Sequence, residues 1–224
     1  MQISSRSQGL LWSLFGVLIL SPDSLLIRLS NLSEFTLIFY RGALPPVTII
    51  IFLIIYYKKN FLKSFFAMGL AGVFYALLYS IIHIAFVYSI QQTSVANTLV
   101  LIASAPIFAA ILSLIFLKEN PKMLTWLIIF FAFISMIIIG WGSYTTTGLI
   151  GDILALVTGL GMAASAVIVR YYKNIDLVPA CVIGCILTAL YALPLTNDFT
   201  LNSFQMINIF FMCLIILPIP FIVL

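Results

Sequence analysis

The stretch GLLWSLFGVLILSPDSLLIRLS, Gly9 to Ser30, decides how the chain is read. It opens as an apolar run and then sets Ser21, Pro22, Asp23 and Arg28 inside what would be one membrane span. A helix needs about 20 mostly apolar residues to cross the hydrocarbon core of a bilayer. Asp23 therefore lies close to lipid depth, where a charge faces a cavity or a partner. A second reading is that the charges mark the outer end of the span, with Arg28 reaching the headgroups along its apolar stem.

Composition supports a membrane setting. The chain is 64% hydrophobic and 7% charged, with a mean hydropathy of +1.26. Soluble domains carry about 25% charged and 45–50% apolar residues. No soluble core buries so much apolar surface, so the bilayer itself is the expected partner. Cys181, Cys185 and Cys213 lie in apolar runs without metal-ligand spacing and read as small apolar filler. No catalytic residue, metal or cofactor is expected, and no basic patch interleaved with aromatics points to nucleic acid. The segment after Leu20 offers no small-x-small cleavage site, so the first apolar run reads as a retained span and not a signal peptide.

Eight long apolar segments follow one another at approximately 9–30, 35–57, 65–89, 94–117, 123–142, 149–171, 177–195 and 203–224. The expected fold is an all-α polytopic membrane protein of eight transmembrane helices. With the N-terminus inside, eight of the ten lysines and arginines fall on the cytoplasmic side, including Arg6, Lys58, Lys118, Lys122 and Arg170. The outer side holds Arg28 and Arg41. This positive-inside bias accounts for the net charge of +4. In the turn Lys118-Glu119-Asn120-Pro121, Asn120 suits a helix cap and Pro121 the first position of the next helix. Span 4 carries a small-residue stripe, Ala105, Ala109 and Ser113, read as a packing surface. Pro106 should kink the same span by freeing the Ile102 carbonyl, with Ser104 helping to satisfy the loosened backbone.

A shift of 142 residues places Gly9 on Gly151, Leu14 on Leu156, Leu18 on Leu160, Arg28 on Arg170 and Gly42 on Gly184, with Glu34 on Asp176. Charges are scarce here, so their match weighs most, and Arg28 and Arg170 form a structural repeat pair. The repeat unit holds an odd number of spans, so two copies face opposite ways across the bilayer, a recurring build of secondary transporters. The first repeat covers residues 1–142 and the second, partial one 149–224. Leu224 aligns with Ile82, inside span 3. The expected architecture is an inverted five-plus-five repeat whose last two helices are missing, either a fragment or a shortened reading frame.

The run Thr93-Ser-Val-Ala-Asn97, the run Ala105-Pro106-Ile-Phe-Ala-Ala-Ile-Leu-Ser-Leu-Ile-Phe-Leu-Lys-Glu119 and the close Gly140-Trp-Gly142 resemble the EamA family of the drug/metabolite transporter superfamily. Asp23, Arg28 and Phe39-Tyr40-Arg41-Gly42 look like the start of the same domain, and Gly151-Asp152 to Arg170 like the opening of a second copy. The resemblance implies a ten-helix carrier of amino acids, related metabolites or drugs in a bacterial plasma membrane, mostly exporting. A second Pro-and-Glu segment is absent, which puts a non-transporting remnant or an assembly subunit beside the carrier reading. A membrane enzyme on lipid-linked substrates would need clustered acids or histidines, and this chain has one His and six acids.

For the carrier, the candidate substrate and translocation residues are Asp23, Arg41, Tyr75, Tyr79, His83, Asn97 and Ser104. Tyr75, Tyr79 and His83 share one helix face and line a cavity, unless they are interfacial tyrosines and a bundle-bonded histidine. Asn97 and Ser104 share a face of span 4 and act as substrate contacts or as interhelical glue. Trp12 is an interfacial anchor or a site residue, and Glu119 stays solvated. Spans 1 and 2 run antiparallel, so Asp23 can reach Arg41 in a polar network at the outer mouth. Asp23 has no acidic counterpart in the repeat, because Ser165 takes its place, so Asp23 is the residue assigned to substrate or proton handling. A proton or another coupling ion and a small organic substrate are the expected partners, and a homodimer is compatible with the sequence.

Overall fold

The fold is taken from a computed structural model that describes residues 5–119, 123–143 and 148–223. Among the described residues all regular structure is helical. The α-helices are α1 Ser5–Leu20, α2 Asp23–Ser30, α3 Glu34–Ala43, α4 Pro45–Tyr57, α5 Phe61–Ala67, α6 Gly69–Gln92 and α7 Val95–Ile102. They continue as α8 Ala105–Leu112, α9 Met123–Ser143, α10 Leu149–Tyr171, α11 Val178–Ala192, α12 Ser203–Phe211 and α13 Pro218–Val223. Six stretches among the described residues are long and apolar enough to cross a bilayer: Glu34–Ala67, Gly69–Gln92, Val95–Leu117, Leu149–Tyr171, Val178–Leu195 and Ser203–Pro220. The chain divides into two units, Met1–Gly69 with Asp176–Leu224, and Leu70–Ile175.

In the first unit the expected continuous span 9–30 is broken. Proline has no N–H and its ring clashes with the carbonyl four residues earlier. Ser21 still donates to the Val17 carbonyl at 3.0 Å, and after Pro22 the chain restarts as α2. With 16 and eight residues, neither α1 nor α2 alone has the length of a span. The third expected segment also differs. Phe61–Ala67 continues the second stretch, and the chain turns at Gly69, whose φ of +52° favours glycine.

The remaining joints of this unit are satisfied locally. Ser33 caps α3 by accepting from the Thr36 N–H, and Asn202 with Gln205 forms a capping box on α12. Pro218 cannot bond the Leu214 carbonyl, and Thr48 of α4 donates its hydroxyl there at 3.1 Å. Thr36 and Tyr40 donate to the carbonyls of Asp198 and Phe199, tying the 196–202 turn to α3. In that exposed turn the backbone N–H of Thr200, with its hydroxyl, holds the Asp198 carboxyl below the usual carboxylate range.

α11 packs along α3 and α4, α12 on α2, and α13 on α1 and α4. Apolar surface gives helices no reason to leave lipid, so close backbone approach and cross-helix hydrogen bonds hold them together. The approach is closest at Gly42, where a Cβ would stand 2.7 Å from the Cys185 carbonyl oxygen and 2.8 Å from the Ala189 Cα.

In the second unit α10 packs against α7 and α8, and α7 against α9. Span 4 breaks at Ala103–Ser104, just ahead of Pro106. Ser104 donates its hydroxyl to the Leu101 carbonyl at 2.6 Å, within the loosened turn. α8 then runs into a π-helical turn, Ser113–Leu117, that ends in Lys118 at φ +54°. Ala105, Ala109 and Ser113 are half-buried on this α10-facing element. Asn120, Pro121 and Lys122 lie outside the described residues, as do the side chains of Arg6, Gly140, Trp141 and Gly142.

Gly42→Ala forces a methyl group into the backbone of α11, which cannot move aside like a flexible side chain. Overpacking of this kind costs about 1–3 kcal/mol. A lowered thermal midpoint of the detergent-solubilised protein is the expected result, and an unchanged midpoint would deny the close approach of α3 and α11.

Candidate functional site

The break at Pro22 gives α2 its own N-terminus, with Asp23 in its first turn, and Arg41 occupies the last turn of α3. Each charge therefore sits at the helix end whose dipole favours it. The turn Asn31–Ser33 reverses the chain, with Asn31 in the left-handed region at φ 48°, so the two helices lie antiparallel. Arg41 Nη1 donates to Asp23 Oδ1 at 2.6 Å and Nη2 to Oδ2 at 3.0 Å. This two-pronged geometry is the strongest form of a carboxylate–guanidinium pair. The side chains are 2% and 6% exposed. An ion alone at such burial would cost several kcal/mol, so the pair exists only as a neutral unit.

Burial puts both charges inside the first unit, closed off from its surface. Counting helical rise from the Asn31–Ser33 turn puts both charges about 10 Å below it. Arg28, near the end of α2, is exposed.

Sequence reasoning missed the contribution of α12. Arg41 Nη1 also donates to Met212 Sδ at 3.3 Å, from the start of a π-helical turn, Met212–Ile216. One turn earlier Asn208 donates its amide to the Leu26 carbonyl at 3.0 Å, while its Oδ1 is buried without a hydrogen-bond partner. An amide isolated in an apolar span was the available signal for Asn208.

The second unit holds two further polar groups. On α6, Tyr75, Tyr79 and His83 are buried. Tyr75 and Tyr79 stack with ring centroids 6.4 Å apart, and Tyr79 lies 4.3 Å from His83. Four-residue spacing thus yields a continuous ring column. At the start of α7, Ser94 caps the helix through the Asn97 N–H at 3.0 Å. The Asn97 amide then donates to Asp152 of α10 and, at 3.4 Å, to Thr93. Ser104 faces the same helix, 3.4 Å from where a Cβ on Gly159 would stand. Arg170, at the far end of α10, pairs with Glu119 at 2.8 Å, both largely exposed. Trp12 is exposed against Phe15.

Apolar helices of spanning length around buried, mutually neutralised polar groups define a multi-pass membrane protein. The chain belongs to the EamA-like transporter family, whose sequence model matches residues 7–141, more than half of its length. It is thus a transporter of the drug/metabolite superfamily, whose members move small molecules across membranes and are not enzymes. No curated protein and no solved structure matches it.

Asp23→Asn leaves a buried guanidinium without its counter-charge. Removing one partner of a buried pair costs about 3–5 kcal/mol, so this variant should unfold at markedly lower denaturant than the parent. Equal stability would mean that the pair is hydrated and not sealed.

Proposed function

We propose that the chain works as a secondary carrier of small organic molecules, amino acids, related metabolites or drugs, by alternating access between inverted repeats. The observation that carries this reading is the transporter-family match over residues 7–141. Efflux is the direction the family resemblance implies, across a bacterial plasma membrane with the N-terminus in the cytoplasm.

Several contacts support the layout. Helices α3 and α11, which the 142-residue shift superposes, pack side by side. Each has its acid at the N-terminal end: Glu34 opens α3, and Asp176 accepts from the Val178 N–H at the start of α11. Such an adjacency of equivalent helices supports a pseudo-two-fold inverted repeat.

The ends of the spans pair consistently with alternating passes. Tyr57 meets Asp176, and Glu119 meets Arg170, at ends the charge bias assigns to the cytoplasm. Gln205 meets Ser30 at an end assigned to the outside. Tyr75, Tyr79, His83, Asn97 and Ser104 are the proposed substrate-facing groups of the second unit, and Asp23 with Arg41 a neutral polar centre of the first. The lipid bilayer and a small-molecule substrate are the required partners.

Counterflow in reconstituted vesicles, with labelled amino acids and small metabolites as probes, tests the reading. Saturable, trans-stimulated flux is expected, whereas a protein that merely joins an assembly gives none. Tyr79→Ala removes the middle of the ring column, worth about 0.5–1.5 kcal/mol of aromatic contact. Its KM should rise by about twofold to tenfold if the column meets substrate. A lower yield of folded protein with unchanged KM would assign the column to packing.

A further inference from the structure

One surface of the first unit combines dense positive charge with exposed apolar side chains. The run Lys58-Lys59-Asn60-Phe61-Leu62-Lys63 holds three of the chain's ten lysines and arginines. All three lysines are exposed, and among the described residues no acid forms an ion pair with them. The acid that meets the neighbouring Tyr57 is Asp176, and the Tyr57 hydroxyl and the Val178 N–H already engage it. Arg41 and Arg170, by contrast, are paired with Asp23 and Glu119.

The positive-inside bias accounts for the side of the membrane on which these lysines fall, but not for how the backbone presents them. With 10 and 13 residues, α3 and α4 already make the length of a span. Lys58 stands at φ +49°, a conformation that bulky side chains rarely adopt, and α4 ends there. A 3₁₀ turn, Lys58–Asn60, leads into α5, which therefore starts where that span has reached the bilayer surface.

The helix α5 has two sides. Ser64 and Met68 are buried, and Phe61 and Phe65 are half-buried in edge contact at 5.3 Å. Packing on α4 and α11 fixes this side. The other side exposes Leu62 at 69% and Phe66 at 85%, one turn apart. Lys63 is exposed beside them, one turn after Lys59. Such a surface has a place for each part of a lipid. The apolar pair meets the acyl region, and the ammonium groups reach phosphate level on their flexible apolar stems.

We propose that Lys58, Lys59 and Lys63, together with Leu62 and Phe66, form a binding site for an anionic phospholipid. A zwitterionic lipid would satisfy the apolar pair equally well, but its own ammonium group opposes the three lysines. A headgroup of net negative charge, of the phosphatidylglycerol type, leaves its phosphate to them. The lipid binds and exchanges without any covalent step. The site goes beyond the transport reading and does not rest on it.

The test places a fluorophore beside the site. Cys181, Cys185 and Cys213 are buried and Ala67 is exposed, so Ala67→Cys gives a single accessible thiol for a bimane label. The full chain is held in phosphatidylcholine nanodiscs, and quenching by acyl-chain nitroxide phosphatidylglycerol is compared with quenching by the matching phosphatidylcholine. The anionic quencher should half-saturate at a mole fraction lower by at least about fivefold, the effect of one lysine at an anionic surface. Lys58→Gln, Lys59→Gln and Lys63→Gln together should bring the two lipids level, and arginine at all three positions should keep the preference. Lys118→Gln with Lys173→Gln should leave it unchanged. Inorganic phosphate should displace no more quencher than sodium chloride at equal ionic strength. Four results would overturn the proposal. They are equal quenching by both lipids in the parent, a preference that survives the triple glutamine variant, an equal loss in the Lys118 and Lys173 variant, and displacement specific to phosphate. The third would assign the preference to general surface charge, and the fourth would make the site one for free anions.

Discussion

The pair between Asp23 and Arg41 constrains everything around it. Two charges at this burial are tolerable only if each is the other's counter-ion, with both guanidinium prongs engaged. That requirement fixes the ends of α2 and α3 against each other. It also explains why the first apolar segment is broken. A continuous helix through Pro22 would give Asp23 no helix start to sit on, whereas the restart offers free N–H groups and a favourable dipole. Met212 and Asn208 then bring α12 onto the same centre. The first unit is organised from its polar core outward.

The joints of the fold follow one rule. In lipid every backbone polar group has to find a partner within the protein. Two prolines have a hydroxyl at work beside them: Ser104 bonds the Leu101 carbonyl in the turn before Pro106, and Thr48 crosses from α4 to the carbonyl that Pro218 leaves open. These answers come from hydroxyl side chains, which cost little hydropathy and leave the spans apolar. Close approach at Gly42 adds the packing that apolar surface alone cannot supply in lipid.

Much of this was legible in the residues. The apolar segments, the contact of Asp23 with Arg41, the shared face of Tyr75, Tyr79 and His83, and the break near Pro106 all follow from spacing and from single residue types. What was not legible depended on the third dimension. Nothing in the spacing of span 8 shows that a π-helical turn delivers Met212 to Arg41, or that Asn208 reaches Leu26. Asp152 stood out only as part of a motif, because its distinction lies in meeting the Asn97 amide where the buried Asp23 meets an arginine. The sequence expectation of a single helix over 9–30 failed because apolar length was weighed above the geometry of one proline.

The most direct test of the buried neutral pair is a double-mutant cycle on unfolding in detergent, built from Asp23→Leu, Arg41→Met and the two together. A sealed pair predicts two damaging single changes and a double variant that recovers most of the loss. The coupling should be on the order of 3 kcal/mol, the range for breaking a buried ion pair. Additive effects, with coupling near zero, would contradict the account.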